Sequence, residues 1–175
     1  RGIILPPKIL SIVRKLASGE GNLSLAFTDK NVFVRLGDKH LSSNLIDGQF
    51  PDYRRVIPDT QKYRAQVEKK PLEDALRRAS LLVEATSRKV VFSFSEGSLT
   101  IVSRESELGV ATEEVACEYT GPEISFAVNC LYMSEPLREM AGDSVSLEFS
   151  DVNKAITLKP QPEDGYLNII MPMQL

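Results

Sequence analysis

Leu45-Ile46-Asp47-Gly48-Gln49-Phe50-Pro51-Asp52-Tyr53-Arg54-Arg55-Val56-Ile57-Pro58 divides the chain. From Phe50 to Lys62 the residues are polar, broken by Pro51 and Pro58, and follow neither the two-residue period of a strand nor the 3.6-residue period of a helix. Asp47-Gly48 and Asp52 are turn-type residues. The stretch reads as a linker, and on either side of it a regular pattern begins.

That pattern is one unit met three times: a strand, one amphipathic helix, then three short strands. The first copy has its helix at Pro7 to Ala17, with Ile9, Ile12, Val13 and Leu16 on one face and Lys8, Ser11, Arg14 and Lys15 on the other. Strands at Leu23 to Thr28, Asn31 to Leu36 and Lys39 to Ile46 complete it. The second copy runs from a strand at Tyr63 to Val67 through a helix at Pro71 to Val83, with Pro71 in the first turn where its missing N–H costs nothing. Its strands are Lys89 to Phe94, Leu99 to Arg104 and Leu108 to Glu118, the first two joined by a turn at Ser95-Glu96-Gly97-Ser98. Alternation slips at Glu113-Glu114, which predicts a bulge. The third copy has a strand at Ile124 to Val128, a helix between Asn129 and Ala141, and strands at Ser144 to Phe149, Ala155 to Lys159 and Leu167 to Met171. Pro136 inside that helix predicts a late start near Ser134 or a kink. The expected division is residues 1–62, half a domain plus linker, and 63–175, one complete pseudo-symmetric domain. Half a domain alone should leave an open sheet edge and an uncovered apolar face.

The linker, read with Ile169-Ile170-Met171-Pro172-Met173-Gln174-Leu175, resembles the two signature segments of the bacterial replicative sliding clamps, the β subunits of the replicase. The resemblance covers essentially the whole chain. It implies an α+β processivity-clamp fold with helices on the inner face and antiparallel sheets outside, here the second half of a middle domain plus the C-terminal domain. It further implies a cleft for short Gln- and Leu-rich peptides of the replicative polymerase, the clamp loader and repair proteins. By motif position Pro51, Arg55 and Val56 in the linker, Ile169, Ile170, Met171, Pro172, Met173 and Leu175 in the last segment, and the Asn129 and Tyr132 of an Asn-x-x-Tyr would form it. Met suits a surface that accepts varied peptides. Gln174 departs from the Arg common before the terminal Leu, and a loop that completes one wall in the family would precede Arg1.

Charge supports the same expectation. The chain has a net charge of -3, yet residues 1–62 hold 10 Lys and Arg against 6 Asp and Glu. Lys8, Arg14 and Lys15 in the first helix, Arg77 and Arg78 in the second and Arg138 in the third recur on helices, as a surface lining duplex DNA would require. Such side chains meet phosphates through charge and counterion release, without reading sequence. The acidic residues Glu105, Glu107, Glu113, Glu114 and Glu118 read as outward sheet surface. Leu81-Leu82-Val83 is too apolar for one helix to bury against its own sheet. The resemblance implies that Leu81 and Leu82 meet a neighbouring subunit in a head-to-tail homodimer when full length.

An enzyme is disfavoured: no nucleophile has a base nearby, the one histidine, His40, reads as an exposed strand residue, and no phosphate-binding Gly loop is present. No catalytic residue, cofactor or metal is expected. Cys117 and Cys130 lack metal-ligand spacing and read as buried thiols of a cytoplasmic protein. No apolar run is long enough for a membrane helix, and no signal peptide is evident. Two other readings stay open: an α+β hydrolase or transferase using Asp47, Asp52 and Tyr53, and an interaction module without DNA contact.

Overall fold

The computed structural model describes residues 2–17, 21–103 and 109–175. The chain forms two compact units, residues 1–52 and 53–175. Tyr53 to Lys62, expected as linker, falls with the second.

The first unit is helix α1 (Pro7–Leu16) over an antiparallel meander of β1 (Leu23–Phe27), β2 (Asn31–Leu36) and β3 (Lys39–Asn44). Pro7 opens the helix at a position that needs no donor. The period-3.6 apolar stripe turns Ile9 onto Val32 and Val34, with Leu5, Val13, Leu36, Leu41 and Leu45 around them. Register fixes the rest: Leu25 stands opposite Val34 and Phe27 opposite Val32, on the same side of the sheet as that small core. Yet Leu23, Leu25 and Phe27 are 41%, 50% and 45% exposed. The small core under the helix takes its buried strand residues from β2, and the apolar side chains of β1 stay outside it.

The second unit repeats the pattern twice. Its first copy is β4 (Tyr63–Glu68), α2 (Lys69–Ala79), β5 (Lys89–Ser95), β6 (Ser98–Ser103) and β7 (Thr112–Glu118). The second is β8 (Ile124–Asn129), α3 (Cys130–Glu139), β9 (Ser144–Phe149), β10 (Ile156–Gln161) and β11 (Asn168–Ile170). The copies exchange their first strands: β4 pairs with β9, and β8 with β5. Because β7 pairs with both β6 and β4, the two sheets expected from sequence are continuous, in the order β11-β10-β9-β4-β7-β6-β5-β8. The exchange puts Phe92 and Phe94, Phe126 and Phe149 into one aromatic cluster, with Phe94 and Phe149 ring centroids 4.8 Å apart. Leu72, Ala75, Leu76 and Ala79 of α2 and Met133 and Leu137 of α3 seal it without exposure. Offset aromatic pairs of this kind add to the burial of apolar area that holds the halves together.

Three local expectations need correction. First, no bulge occurs at Glu113-Glu114. The register Ile101 to Glu113, Thr100 to Glu114 and Leu99 to Val115 is regular. The alternation looked broken because Glu113, a carboxylate on the helix-facing side, is paired there with Arg78 of α2. It is therefore not outward surface, although Glu114 and Glu118 are exposed. Second, α3 accepts Pro136 in its interior and begins at Cys130, since Asn129 caps it: the Asn129 side-chain oxygen accepts from Leu131 N–H at 2.9 Å. Third, the second helix does not run to Val83. It ends at Ala79, and Ser80–Leu82 tightens into a 3-10 turn where the Ser80 hydroxyl donates to the Arg77 carbonyl at 2.7 Å. The start of the predicted strand at Leu108, the end of another at Arg104, and Glu105 and Glu107 lie outside the described residues.

Candidate functional site

The last strand of the second unit is short, and a backbone bond anchors the segment beyond it. Met173 N–H donates to the Ala127 carbonyl of β8 at 2.7 Å, an antiparallel bridge. That bond ties the segment after β11 to the far edge of the sheet. Ile170 points into the core at 3% exposure, so by strand alternation its neighbours Ile169 and Met171 face the other way. Met171 is 62% exposed. Pro172 and Met173 are half-buried, and Leu175 is exposed.

Facing this strand is α3. Tyr132 stands in its first turn, 62% exposed, where the Asn129 cap puts it. Tyr132, Glu135, Pro136 and Glu139 on the helix, and Tyr166, Asn168, Ile169, Ile170 and Met171 on the strand side, line an open groove of about 560 Å³. Pro136 deprives the Tyr132 carbonyl of its i+4 donor on this same face. Of the predicted cleft residues the groove's walls include Tyr132 and Ile169 to Met171 but not Pro172, Met173 or Leu175, and they add Glu135, Pro136, Glu139, Tyr166 and Asn168. Those five carry no motif, and only packing of α3 against β11 brings them together. Asn129 serves as the helix cap and also donates to the Ser87 carbonyl at 3.4 Å. Arg55 and Val56 sit on a 3-10 turn, Tyr53–Val56, exposed and not among the groove's walls. Pro51 belongs to the first unit and is exposed.

The internal repeat explains why a groove exists here. Counted from the residues preceding each helix, Glu68 and Asn129, position 78 of α2 corresponds to position 139 of α3. Counted from the bridges Gln66 to Glu118 and Ala127 to Met173, position 113 corresponds to 168. In the first copy these places hold Arg78 and Glu113, joined by two hydrogen bonds at 2.9 and 2.7 Å that draw helix and strand together. In the second copy they hold Glu139 and Asn168, which cannot form an ion pair, and both line the groove.

The helix cations divide. Lys8, Arg14 and Lys15 are exposed on α1, and Arg138 is exposed on α3. Arg77 lies 3.8 Å from Asp74, which is itself held by Lys70 at 2.7 Å. Arg78 is neutralised by Glu113. Leu81 is 68% exposed, while Leu82 and Val83 are half-buried. Cys117 and Cys130 are free and buried, and burial pushes both thiols above their ordinary range. His40 is exposed in β3 opposite Arg35. Asp47 lines a concavity of the first unit with Asp29, Lys30 and Asn31, and Asp52 and Tyr53 are exposed. Among the described residues no helix is long and apolar enough to cross a membrane.

Comparison with known proteins agrees with this architecture. The family profile described as DNA polymerase III beta subunit, central domain, matches residues 1–52, and that of the C-terminal domain matches residues 54–174. The beta sliding clamp of Treponema pallidum is 44% identical over 177 residues, covering 99% of this chain and 48% of that protein. That of Borreliella burgdorferi is 31% identical, covering 98% and 45%. The chain therefore spans about half the length of the curated relatives it matches. A crystal structure of the Pseudomonas aeruginosa sliding clamp bound to griselimycin superposes with a TM-score of 0.90 at 28% identity, over 99% of this chain and 47% of that one. With both profiles in order along the chain, and a relative at 44% identity across nearly all of it, the chain belongs to the bacterial DNA polymerase III beta subunit family, the beta sliding clamps.

Proposed function

We propose that this chain supplies the partner-docking cleft and part of the DNA-facing surface of a sliding-clamp processivity factor, a tether with no catalytic role. The groove between α3 and β11 takes short linear motifs of the replicative polymerase, clamp loader and repair proteins. Arg55 and Val56 extend its rim, as family position implies. The exposed cations Lys8, Arg14, Lys15 and Arg138 lie along duplex DNA without reading sequence, and Arg77 adds to them. Leu81 and Leu82 meet the next subunit of a head-to-tail homodimer, in the cytoplasm at the nucleoid. The observation that carries this reading is the pair Tyr132 and Met171: two large apolar side chains, each 62% exposed, on opposite walls of one groove. Water-facing apolar surface of that kind, concentrated in a concavity, is what a peptide's apolar side chains would cover.

Titration with a Gln-Leu-Ser-Leu-Phe peptide tests it. Met171→Asp puts an unpaired charge in place of an apolar side chain on the groove's strand wall and should weaken binding at least about tenfold, some 1.4 kcal/mol. Unchanged affinity in Met171→Asp and Tyr132→Ala would remove the groove from the function.

A further inference from the structure

Resting on that docking reading, we infer that the groove prefers peptides carrying a Lys or Arg beside the apolar motif, because Glu135 and Glu139 place two uncompensated carboxylates on its helical wall. Among the described residues they are the only charged ones lining it. Neither side chain is held by an ion pair or hydrogen bond from another described residue, whereas Glu148, a carboxylate elsewhere in the same unit, is held by Lys159 at 3.0 Å. Spaced four apart, they lie one above the other on a single helix face, so their fields add. The repeat supplies an independent argument. At the corresponding place in the first copy, helix and strand are joined by a guanidinium and a carboxylate from within the chain. In the second copy Glu139 stands in place of the guanidinium and Asn168 in place of its acceptor. The second copy therefore keeps a carboxylate and an amide oxygen at the seam, with no cation among the groove's described walls to satisfy them. Arg138, the neighbouring cation on α3, is not among the residues lining the groove. A peptide cation seated at this point would restore the pairing that Arg78 and Glu113 make across the other seam.

The charge is accessible to water, so its effect is moderate. Exposed ion pairs are weak singly and screened by salt, and two together amount to about three- to tenfold in affinity at low ionic strength. The probes are three acetylated peptides: Gln-Leu-Ser-Leu-Phe, the same sequence flanked by Lys, and the same sequence flanked by Glu. Each is titrated against the full chain and against Glu135→Gln/Glu139→Gln. The expected order is Lys-flanked tighter than unflanked, and unflanked tighter than Glu-flanked. The spread should collapse in the double variant and at about 0.5 M salt. Equal binding of all three, or a spread that survives in the double variant, overturns the charge preference and leaves the docking reading intact. Failure of every peptide to bind the unaltered chain overturns the docking reading and this inference with it.

Discussion

Arg78 and Glu113 hold each other through two parallel hydrogen bonds, Nε to Oε1 at 2.9 Å and Nη2 to Oε2 at 2.7 Å, tying the last turn of α2 to β7. This two-point geometry is the strong form of an arginine–carboxylate contact. It occupies a position on β7 where a charged residue faces the helices, and so converts an apparent fault in the strand pattern into a clasp.

The clasp makes stability depend on acidity. The hydrogen bond from Arg78 holds the Glu113 carboxyl below its ordinary range, and Lys70 does the same for Asp74. A carboxylate with a depressed folded-state pKa contributes stability that is present above its unfolded pKa and lost as pH falls through the folded value. Urea unfolding between about pH 6 and pH 3 should therefore show a declining stability that is shallower in Glu113→Gln. Identical slopes would mean the contact is too well solvated to matter.

Met173 should couple the sheet to the groove. Met173→Pro removes the N–H that reaches Ala127, at a cost near 1 kcal/mol of unfolding free energy. Because the same segment carries Met171, affinity for Gln-Leu-Ser-Leu-Phe should drop about tenfold or more, well beyond the loss in stability. Full affinity in a folded Met173→Pro variant would show that the bridge does not position the groove.

Core and surface should separate cleanly between the units. Phe149→Ala empties the centre of the aromatic cluster and should cost about 3 to 5 kcal/mol. Leu25→Ala, half-exposed on β1, should change stability by less than about 0.5 kcal/mol. Chemical denaturation of the two variants checks both, and a large loss for Leu25→Ala would indicate that something covers β1 in solution.

Gly142 is a further sensitive point. Its φ of +80° suits glycine, and an added Cβ would lie 2.6 Å from the Gln161 carbonyl oxygen. The turn also places the Asp143 carbonyl to accept from Lys69 N–H at 2.7 Å, joining the start of α2 to the turn that leads into β9. Gly142→Ala should destabilise by about 1 to 3 kcal/mol from the backbone conformation and the steric clash together. Thermal melting equal to the parent would show that the turn relaxes freely.

The DNA surface can be tested without disturbing the clasp. Lys8→Glu, Arg14→Glu and Lys15→Glu together should lower the log-log salt slope of duplex binding by roughly 0.9 for each phosphate no longer neutralised. Arg78→Glu is a poor probe, because it would place two carboxylates face to face at Glu113. An unchanged slope in the triple variant would take α1 off the DNA surface.

Sequence alone determined the repeat, the helices, nearly every strand and the break near Pro51, because each is written in local chemistry. Apolar spacing distinguishes strand from helix, Pro7 opens one helix and Pro71 stands in the first turn of another, and the Asn-x-x-Tyr and Ile-Ile-Met segments carry the family likeness residue by residue. What only the tertiary structure decided are relationships between residues far apart in the chain. Strand exchange between the copies joined two sheets into one. Glu113 looked like a surface residue until its partner, 35 positions earlier, was in place. Pro136 looked like a helix breaker, yet the Asn129 cap and the packing of Met133 and Leu137 hold the helix through it. Glu135, Glu139 and Asn168 joined the groove for the same reason: a pattern of two or 3.6 residues says which way a side chain points, and only packing says what stands opposite.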